Sequence, residues 1–218
     1  MPTTLPSPTP PKIQARLDRP DASTLAEPDG HYQNLHVDRV ALEHCDLAGI
    51  EVSGSRLDRL ELAHADLTGA SLRDCRVARS DMANLTARSV GLTRVDVHGV
   101  RLTGAQFIDA RLRDVTVVEA KLDLAVFRFA KLHRVEFRDC TMPKADFTGA
   151  DIRGVHFFRC DLSAAQFSQA MADGARLTEC WLDGIGGVSS LRGAAIAGAD
   201  PTALSQVFAG ALGIEIAG

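Results

Sequence analysis

Residues 120–149, AKLDLAVFRF AKLHRVEFRD CTMPKADFTG, decide the fold, because one five-residue pattern runs through them without a break. A large apolar residue occupies every fifth position, as at Leu122 and Phe127, and a smaller residue lies two places before it, as Ala125 lies before Phe127. The other three places of each pentad carry nearly all of the charge. We therefore expect two side chains per pentad to point inward and three to point outward.

The same register extends from Tyr32 to Leu182. Of its 31 central positions, only Ala87 and Ala172 are not large and apolar, and the series two places earlier is apolar or small throughout. A period of five fits neither an α-helix, which repeats at about 3.6, nor an alternating strand. An internal repeat with one inward pair per unit predicts a solenoid.

A slower rhythm gives the number of pentads in one coil. Phenylalanine recurs every 20 residues at Phe107, Phe127, Phe147 and Phe167, each time two places after an alanine. Twenty residues are four pentads, so each pentad is predicted to form one side of a square parallel β-helix. Like side chains would then stack between coils that lie about 4.8 Å apart.

Three segments are predicted along the chain. Residues 1–29 form a proline-rich, partly disordered N-terminal segment, in which Ile13 and Leu17 have the spacing of a short capping helix. Residues 30–198 form the repeat domain, and residues 199–218 form a C-terminal helix and tail that serve in capping or dimerisation.

The C-terminal helix has a clear start and stop. Asp200 is the expected N-cap, Pro201 the first helical residue and Gly213 the stop. One apolar stripe lies between them, and we predict that it pairs two chains; its members are Leu204, Val207, Phe208, Ala211 and Leu212. Capping of the core is the alternative use of this stripe.

The residue types disfavour several kinds of chemistry. The five cysteines are odd in number, contain no CxxC pair and all belong to the small inward series, which predicts burial and neither disulfides nor zinc. His44 and His64 are predicted to stack on adjacent coils without a third ligand. We expect no metal, no cofactor and no catalytic residues, since no phosphate loop or recognisable triad is present and short corners leave no cleft.

Charge and hydropathy argue against nucleic acid and membranes as partners. A net charge of −4 gives no basic field for nucleic acid, so direct nucleic-acid binding is not expected. The sequence has no signal-peptide core and no apolar run of membrane-span length, so we predict a cytoplasmic protein without membrane contact.

Outward residues are unequally distributed between the predicted sides. The two sides centred on Leu102 and Phe107 carry ten acidic and five basic residues from position 41 onward, whereas the other two are mildly basic. We predict a partner-binding acidic edge there, with charges presented by Asp46, Asp66, Asp109 and Asp146 and with Val126 and Phe129 as apolar anchors. A rod of repeating negative charge can imitate duplex DNA, although scattered solvated charge explains the same count.

The pentads, such as Ala65–Gly69 (ADLTG), resemble the A(D/N)LXX pattern of the pentapeptide-repeat family over about residues 30–184. That resemblance implies an all-β, right-handed quadrilateral parallel β-helix, here with a short C-terminal α-helix. The segment Leu122–Phe127 and the C-terminal helix also resemble, more weakly, the quinolone-resistance (Qnr and MfpA) members, which are dimeric rods that mimic DNA.

The weaker resemblance implies a non-enzymatic binding module. Its partner would be DNA gyrase or topoisomerase IV, which it would modulate or protect from quinolone-type inhibitors. The proline-rich start, the low net charge and the lack of projecting loops depart from those members. The alternative is a structural or scaffolding protein-interaction module with no topoisomerase role.

Overall fold

The computed structural model describes residues 6–20 and 28–214. Residues 1–5, 21–27 and 215–218, which belong to the predicted end segments, lie outside the described residues. The predicted fold class is confirmed. The chain forms a right-handed parallel β-solenoid of about eight turns with a single short C-terminal helix.

Each coil contains 20 residues, as the phenylalanine spacing predicted. Leu72 pairs with Leu92, and Leu92 pairs with Leu112, so equivalent residues lie directly above one another. The four sides are named after their central residues, which recur in steps of 20: side A runs from Tyr32 to Ala172, side B from Val37 to Leu177, side C from Leu42 to Leu182 and side D from Leu47 to Phe167.

Sides A and B carry the regular strands, which join into one 11-stranded sheet. The strands are β1 (His31–Gln33), β2 (His36–Asp38), β3 (Glu51–Ser53), β4 (Arg56–Asp58), β5 (Ser71–Ala78), β6 (Gly91–His98), β7 (Arg111–Val118), β8 (Lys131–Arg138), β9 (His156–Phe158), β10 (Arg176–Thr178) and β11 (Ala195–Ala197). Four of them, β5 to β8, continue around the A/B corner. Sides C and D are joined by single bridges, such as Asp46 to Asp66.

The corners explain the glycines at the last place of many pentads. That place adopts a left-handed backbone, with φ of 68° at Gly149 and 70° at Gly104. Glycine accepts this conformation at no steric cost. Larger residues also occupy it, including Leu124 at 59° and Phe129 at 58°.

The core is one continuous column of inward side chains. The four phenylalanines of side D form a stack in which Phe107 and Phe127 have ring centroids 5.0 Å apart. Phe137 and Phe157 of side B form a second stack with a spacing of 5.2 Å. These rings fill the C-terminal half of the tube.

The N-terminal half is less completely filled. An apolar cavity of about 110 Å³ runs inside it, from Tyr32 to Phe107, among leucines, valines and Ala87. At one pentad the central residue is the small Ala87 and the residue two places earlier is the large Leu85. Both line this cavity, so the larger Leu85 does not fill the space that the smaller Ala87 leaves.

The two ends differ in how well the sequence predicted them. Residues 6–20 contain no helix, so the capping helix expected at Ile13 and Leu17 is wrong. Pro8, Pro10 and Pro11 favour an extended chain, and the Thr9 N–H is hydrogen-bonded to Asp114 of the solenoid.

The C-terminal signals are confirmed. A 3₁₀ helix, Val188–Leu191, follows the register slip, and helix α1 spans Pro201–Ala211. The Asp200 side chain accepts the Thr202 N–H at 2.9 Å as the N-cap, and Gly213 ends the helix with a φ of 69°.

Candidate functional site

The predicted acidic residues all lie on side D or at its border. Asp46 and Asp66 are direct neighbours in one column of side D, and Asp146 lies in the same column four coils beyond Asp66. Thr86, Gln106 and Val126 separate them. Asp109 lies at the D/A corner. The column therefore presents acidic charge near both ends and neutral side chains in its middle.

The aspartates of this column also stabilise the turns that carry them. In each case Oδ1 accepts the backbone N–H two residues later: Ala48 at 3.0 Å for Asp46, and Thr68 at 2.8 Å for Asp66. Asp146 accepts from Thr148 at 2.9 Å in the same way. An aspartate before the central residue is a local corner cap, and only its second carboxylate oxygen remains for a partner.

One of the four predicted charges is paired. The Arg128 Nε lies 2.6 Å from Asp146 Oδ2. Burial raises the pKa of Asp146, but hydrogen bonds from Thr148 and Arg128 outweigh it and leave the pKa below its usual value. In the described part of the chain, Asp46, Asp66 and Asp109 have no cation within 4 Å. Their charges are the ones presented to solvent.

An apolar band crosses side D in the coil between the acidic ends. Leu124 lies at the C/D corner with 55% of its surface exposed, and Phe129 lies at the D/A corner with 54% exposed. Val126 is half-buried between them. We call Leu124, Val126 and Phe129 the apolar band. Sequence analysis placed Val126 and Phe129 here as anchors, and Leu124 completes the set.

One edge of the Phe129 ring lies against the next coil. A Cβ added to Gly149 would lie only 2.6 Å from Phe129 Cδ1. Gly149 therefore provides the space in which this ring lies beside the D/A corner. The exposed face of the ring remains available to a partner.

The apolar stripe of helix α1 lies partly against the solenoid and partly in solvent. Leu204 and Val207 pack against the solenoid core. Phe208 is 41% exposed and Leu212 is 75% exposed, and Ala211 lies beside them in solvent. One part of the stripe therefore packs on the core, and the other part is exposed to solvent.

The cysteines point into the core, and two histidines stack on adjacent coils. Four cysteines are buried and Cys45 is partly buried; burial raises the pKa of the Cys75 thiol to about 11, and its Sγ lies 3.3 Å from the Arg73 carbonyl oxygen. The rings of His44 and His64 stack with centroids 4.9 Å apart, as predicted. Among the residues that the structure describes, no group of three or more metal-ligating side chains is present.

A charged column that was not predicted lies at the A/B corner. Asp74, Arg94, Asp114 and Arg134 lie above one another there, and each aspartate pairs with the arginine of the next coil. The signal was present, because acid and base alternate at a spacing of 20 residues. Applying that spacing to charged residues as well as to apolar ones would have found it.

No helix in the described residues is long and apolar enough to cross a membrane.

Comparison with known proteins agrees with the coil geometry. The model described as "Pentapeptide repeat region" matches residues 90–167, and the model described as "Pentapeptide repeats (8 copies)" matches residues 38–74. The chain belongs to the pentapeptide-repeat family. No curated protein matches this pentapeptide-repeat chain.

Several solved pentapeptide-repeat structures are similar to this chain at low sequence identity. A trypsin-treated variant of QnrB1, a plasmid-mediated fluoroquinolone resistance protein, is 23% identical over 92% of this chain and 95% of its own, with a TM-score of 0.39. Full-length QnrB1 is 22% identical over 90% and 95%, with a TM-score of 0.33. HetL, a pentapeptide repeat protein involved in heterocyst differentiation regulation from Nostoc sp. strain PCC 7120, is 22% identical over 82% and 92%, with a TM-score of 0.33.

Proposed function

We propose that this chain is a non-enzymatic protein-interaction rod that binds its partner through sides C and D. The apolar band is the observation that carries the proposal. Leu124 and Phe129 are more than half exposed, yet both lie at corners whose left-handed backbone suits glycine. A large side chain in that conformation costs about 1–2 kcal/mol, and these two recover little of that cost by burial.

Non-glycine residues adopt this backbone at corners throughout the solenoid, so the exposed apolar surface is what distinguishes Leu124 and Phe129, and such surface is concentrated at interaction sites. The surroundings of the band fit a binding site, since protein interfaces have an apolar centre and a polar rim. Asp109 lies one coil before Phe129 in the same corner column, and Asp146 lies directly above Val126. A partner with apolar residues framed by basic ones would complement this surface.

DNA-handling proteins present basic surfaces of this kind. The carboxylates of sides C and D recur along a rigid axis at multiples of about 4.8 Å, and duplex DNA likewise presents regularly spaced negative charges. Our first candidate partner is therefore DNA gyrase or topoisomerase IV, which the chain would modulate or protect from quinolone-type inhibitors in the cytoplasm. A scaffolding role with an unrelated protein partner is the alternative.

We also propose that two chains pair through the exposed part of helix α1. Phe208, Ala211 and Leu212 provide an apolar face at the end of the rod. Two-fold pairing of identical faces is the commonest symmetry of soluble oligomers. Such a dimer would be a longer rod with the C and D sides of both copies accessible.

The test is gyrase supercoiling and topoisomerase IV relaxation, each with and without a quinolone, in the presence of purified chain. We expect inhibition or protection at micromolar concentrations, and we expect L124G/F129G to weaken it by at least about 30-fold, as loss of a central apolar hot spot does. Glycine keeps the corner backbone, so the variant remains folded.

A matched control removes charge from side B, which is opposite side D. R56Q/R76Q alters two exposed arginines of side B and should leave the effect unchanged. Absence of any effect of the natural chain would favour the scaffolding alternative. An equal loss in the L124G/F129G and R56Q/R76Q variants would show that the apolar band is not the contact surface.

A further inference from the structure

The proline-rich N-terminal segment is fastened along the A/B corner. The Thr9 N–H donates to Asp114 Oδ1 at 3.0 Å, and the Lys12 N–H donates to Asp74 Oδ1 at 2.9 Å. Farther along, Asp18 pairs with Leu35 in the first coil. The segment therefore runs along the rod in the direction opposite to the coils.

The two carboxylates that hold it have the same pattern of hydrogen bonds. Arg134 donates from Nε to Oδ1 and from Nη2 to Oδ2 of Asp114, both at 2.6 Å. Arg94 makes the same two bonds to Asp74, also at 2.6 Å. Each Oδ1 thus accepts from one arginine and from one N–H of the segment. Charge-assisted bonds of this kind are the strong ones.

The spacing of the two sites matches the reach of a diproline. Asp74 and Asp114 are two coils apart, which is about 9.6 Å along the axis at the usual strand spacing. Thr9 and Lys12 are three residues apart, and a polyproline II chain advances about 9.3 Å in three residues. Pro10 and Pro11 lie between them and favour that extended conformation. The prolines themselves offer no N–H, so only the two flanking residues donate.

We propose that the A/B corner column is a docking site for extended diproline segments, occupied here by the chain's own residues 9–12 as an exchangeable occupant. The carboxylates of the site accept hydrogen bonds from two backbone N–H groups that are three residues apart. It lies away from the surface formed by sides C and D.

The way in which the segment is held makes exchange feasible. Thr9, Pro10 and Lys12 are exposed, so little apolar surface is buried when they dock. The pre-extended prolines lose little conformational entropy on binding. A tethered segment competes at an effective concentration in the millimolar range, and a free segment gains access once the tethered one is weakened.

The experiment uses the full-length chain with Pro10→Gly and Pro11→Gly, which loosens its own segment and leaves the corner column intact. The probe is a fluorescein-labelled peptide with the sequence of residues 6–17, PSPTPPKIQARL, followed by anisotropy. We expect the peptide to bind this variant at least about tenfold more tightly than the natural chain, whose own segment blocks the site.

Modified peptides test the contacts without altering the protein. N-methylation of the Thr9 or Lys12 backbone nitrogen removes one donor, and each change should weaken binding about tenfold or more. N-methylation at Ala15, whose N–H makes no hydrogen bond within the described residues, should leave affinity unchanged. Equal binding to the natural and glycine-substituted chains, or equal loss from all three methylations, would overturn the proposal, as would no binding at millimolar peptide.

Discussion

The rings of Phe127 and Phe147 stack face to face, with centroids 5.0 Å apart and planes inclined by 4°. Phe137 of the opposite side, B, contacts Phe127 edge-on with ring centroids 6.0 Å apart. Phe127 and Phe147 thus each contact rings above, below and across the tube. The N-terminal half has leucine and valine at equivalent positions and contains the cavity of about 110 Å³. Filling of the axis therefore depends on aromatic centres.

Removal of one interior ring should be costly. Phe127→Ala is expected to lower the free energy of unfolding by about 3–5 kcal/mol, because it deletes a buried ring and leaves a cavity between two stacked neighbours. Denaturant titration measures the change. Phe129→Ala, two residues away but exposed, is the matched control and should change stability by less than about 0.5 kcal/mol. A loss below about 1 kcal/mol for Phe127→Ala would contradict the enclosed position of the ring.

Filling the cavity should stabilise the N-terminal half. Ala87→Leu places a larger apolar side chain where Ala87 lines the void, and we expect a gain of about 1 kcal/mol in denaturant titration. Ala125→Leu makes the same change beside the phenylalanine stacks, where Ala125 is fully buried, and should cost about 1–3 kcal/mol through overpacking. Equal losses in both variants would show that the void does not accept a side chain.

The sequence predicted the coil well because the coil depends on one local rule. Each pentad must bury its centre and the residue two places earlier, and side chains such as Ala125 and Phe127 show this without long-range information. The same rule predicted the stacked His44 and His64, which need only the register and neighbouring coils. The helix cap at Asp200 followed from equally local start and stop signals.

The pentad rule could not predict features that depend on the total volume of the inward side chains, or contacts made by residues outside the repeat. The cavity arises because Leu and Val centres do not reach the axis, although each pentad satisfies the pattern. The docking of Thr9 and Lys12 depends on Asp74 and Asp114, which are more than 60 residues distant in sequence. Proline content alone suggested disorder there, because composition contains no information on the carboxylates that fasten the chain.

The corner strain at Leu124 is measurable. Leu124→Gly should raise the free energy of unfolding by about 0.5–1 kcal/mol, since glycine accepts the φ of 59° and the leucine side chain packs little. Gly99→Ala is the reciprocal variant: its corner has a φ of 60° and open space for a Cβ, so a loss of about 1 kcal/mol would report the backbone alone. Destabilisation by Leu124→Gly would contradict the strain argument.

Pairing through helix α1 should be sensitive to charge on its exposed face. Phe208→Glu with Leu212→Glu places carboxylates in the proposed contact, and we expect light scattering to show a monomer where the natural chain is a dimer. Gln206→Glu adds charge at another exposed position of the helix and should leave the mass unchanged. A natural chain that is monomeric at high micromolar concentration would remove the helix from any interface.

The ion pairs of the A/B corner column should make the free energy of unfolding decrease at acid pH. The hydrogen bonds from Arg134 hold the pKa of Asp114 well below its usual value of 3.8, and those from Arg94 lower the pKa of Asp74. A carboxyl group whose pKa is lower in the folded chain stabilises the fold fully above its unfolded pKa. That contribution is lost as the pH falls from about 4 through the folded value.

The pKa of Asp96 is shifted in the opposite direction, so its effect on stability has the opposite dependence on pH. Burial raises its pKa, although Arg76 opposes the shift, so its ionised form destabilises the fold at neutral pH. We expect Asp114→Asn to cost about 1–3 kcal/mol at pH 7 and to flatten the acid limb of a plot of unfolding free energy against pH. Asp96→Asn should instead stabilise at pH 7 and have little effect at pH 3, where the natural side chain is already protonated. Parallel curves for the natural chain and Asp114→Asn between pH 5 and pH 2 would show that this pair does not contribute to acid sensitivity.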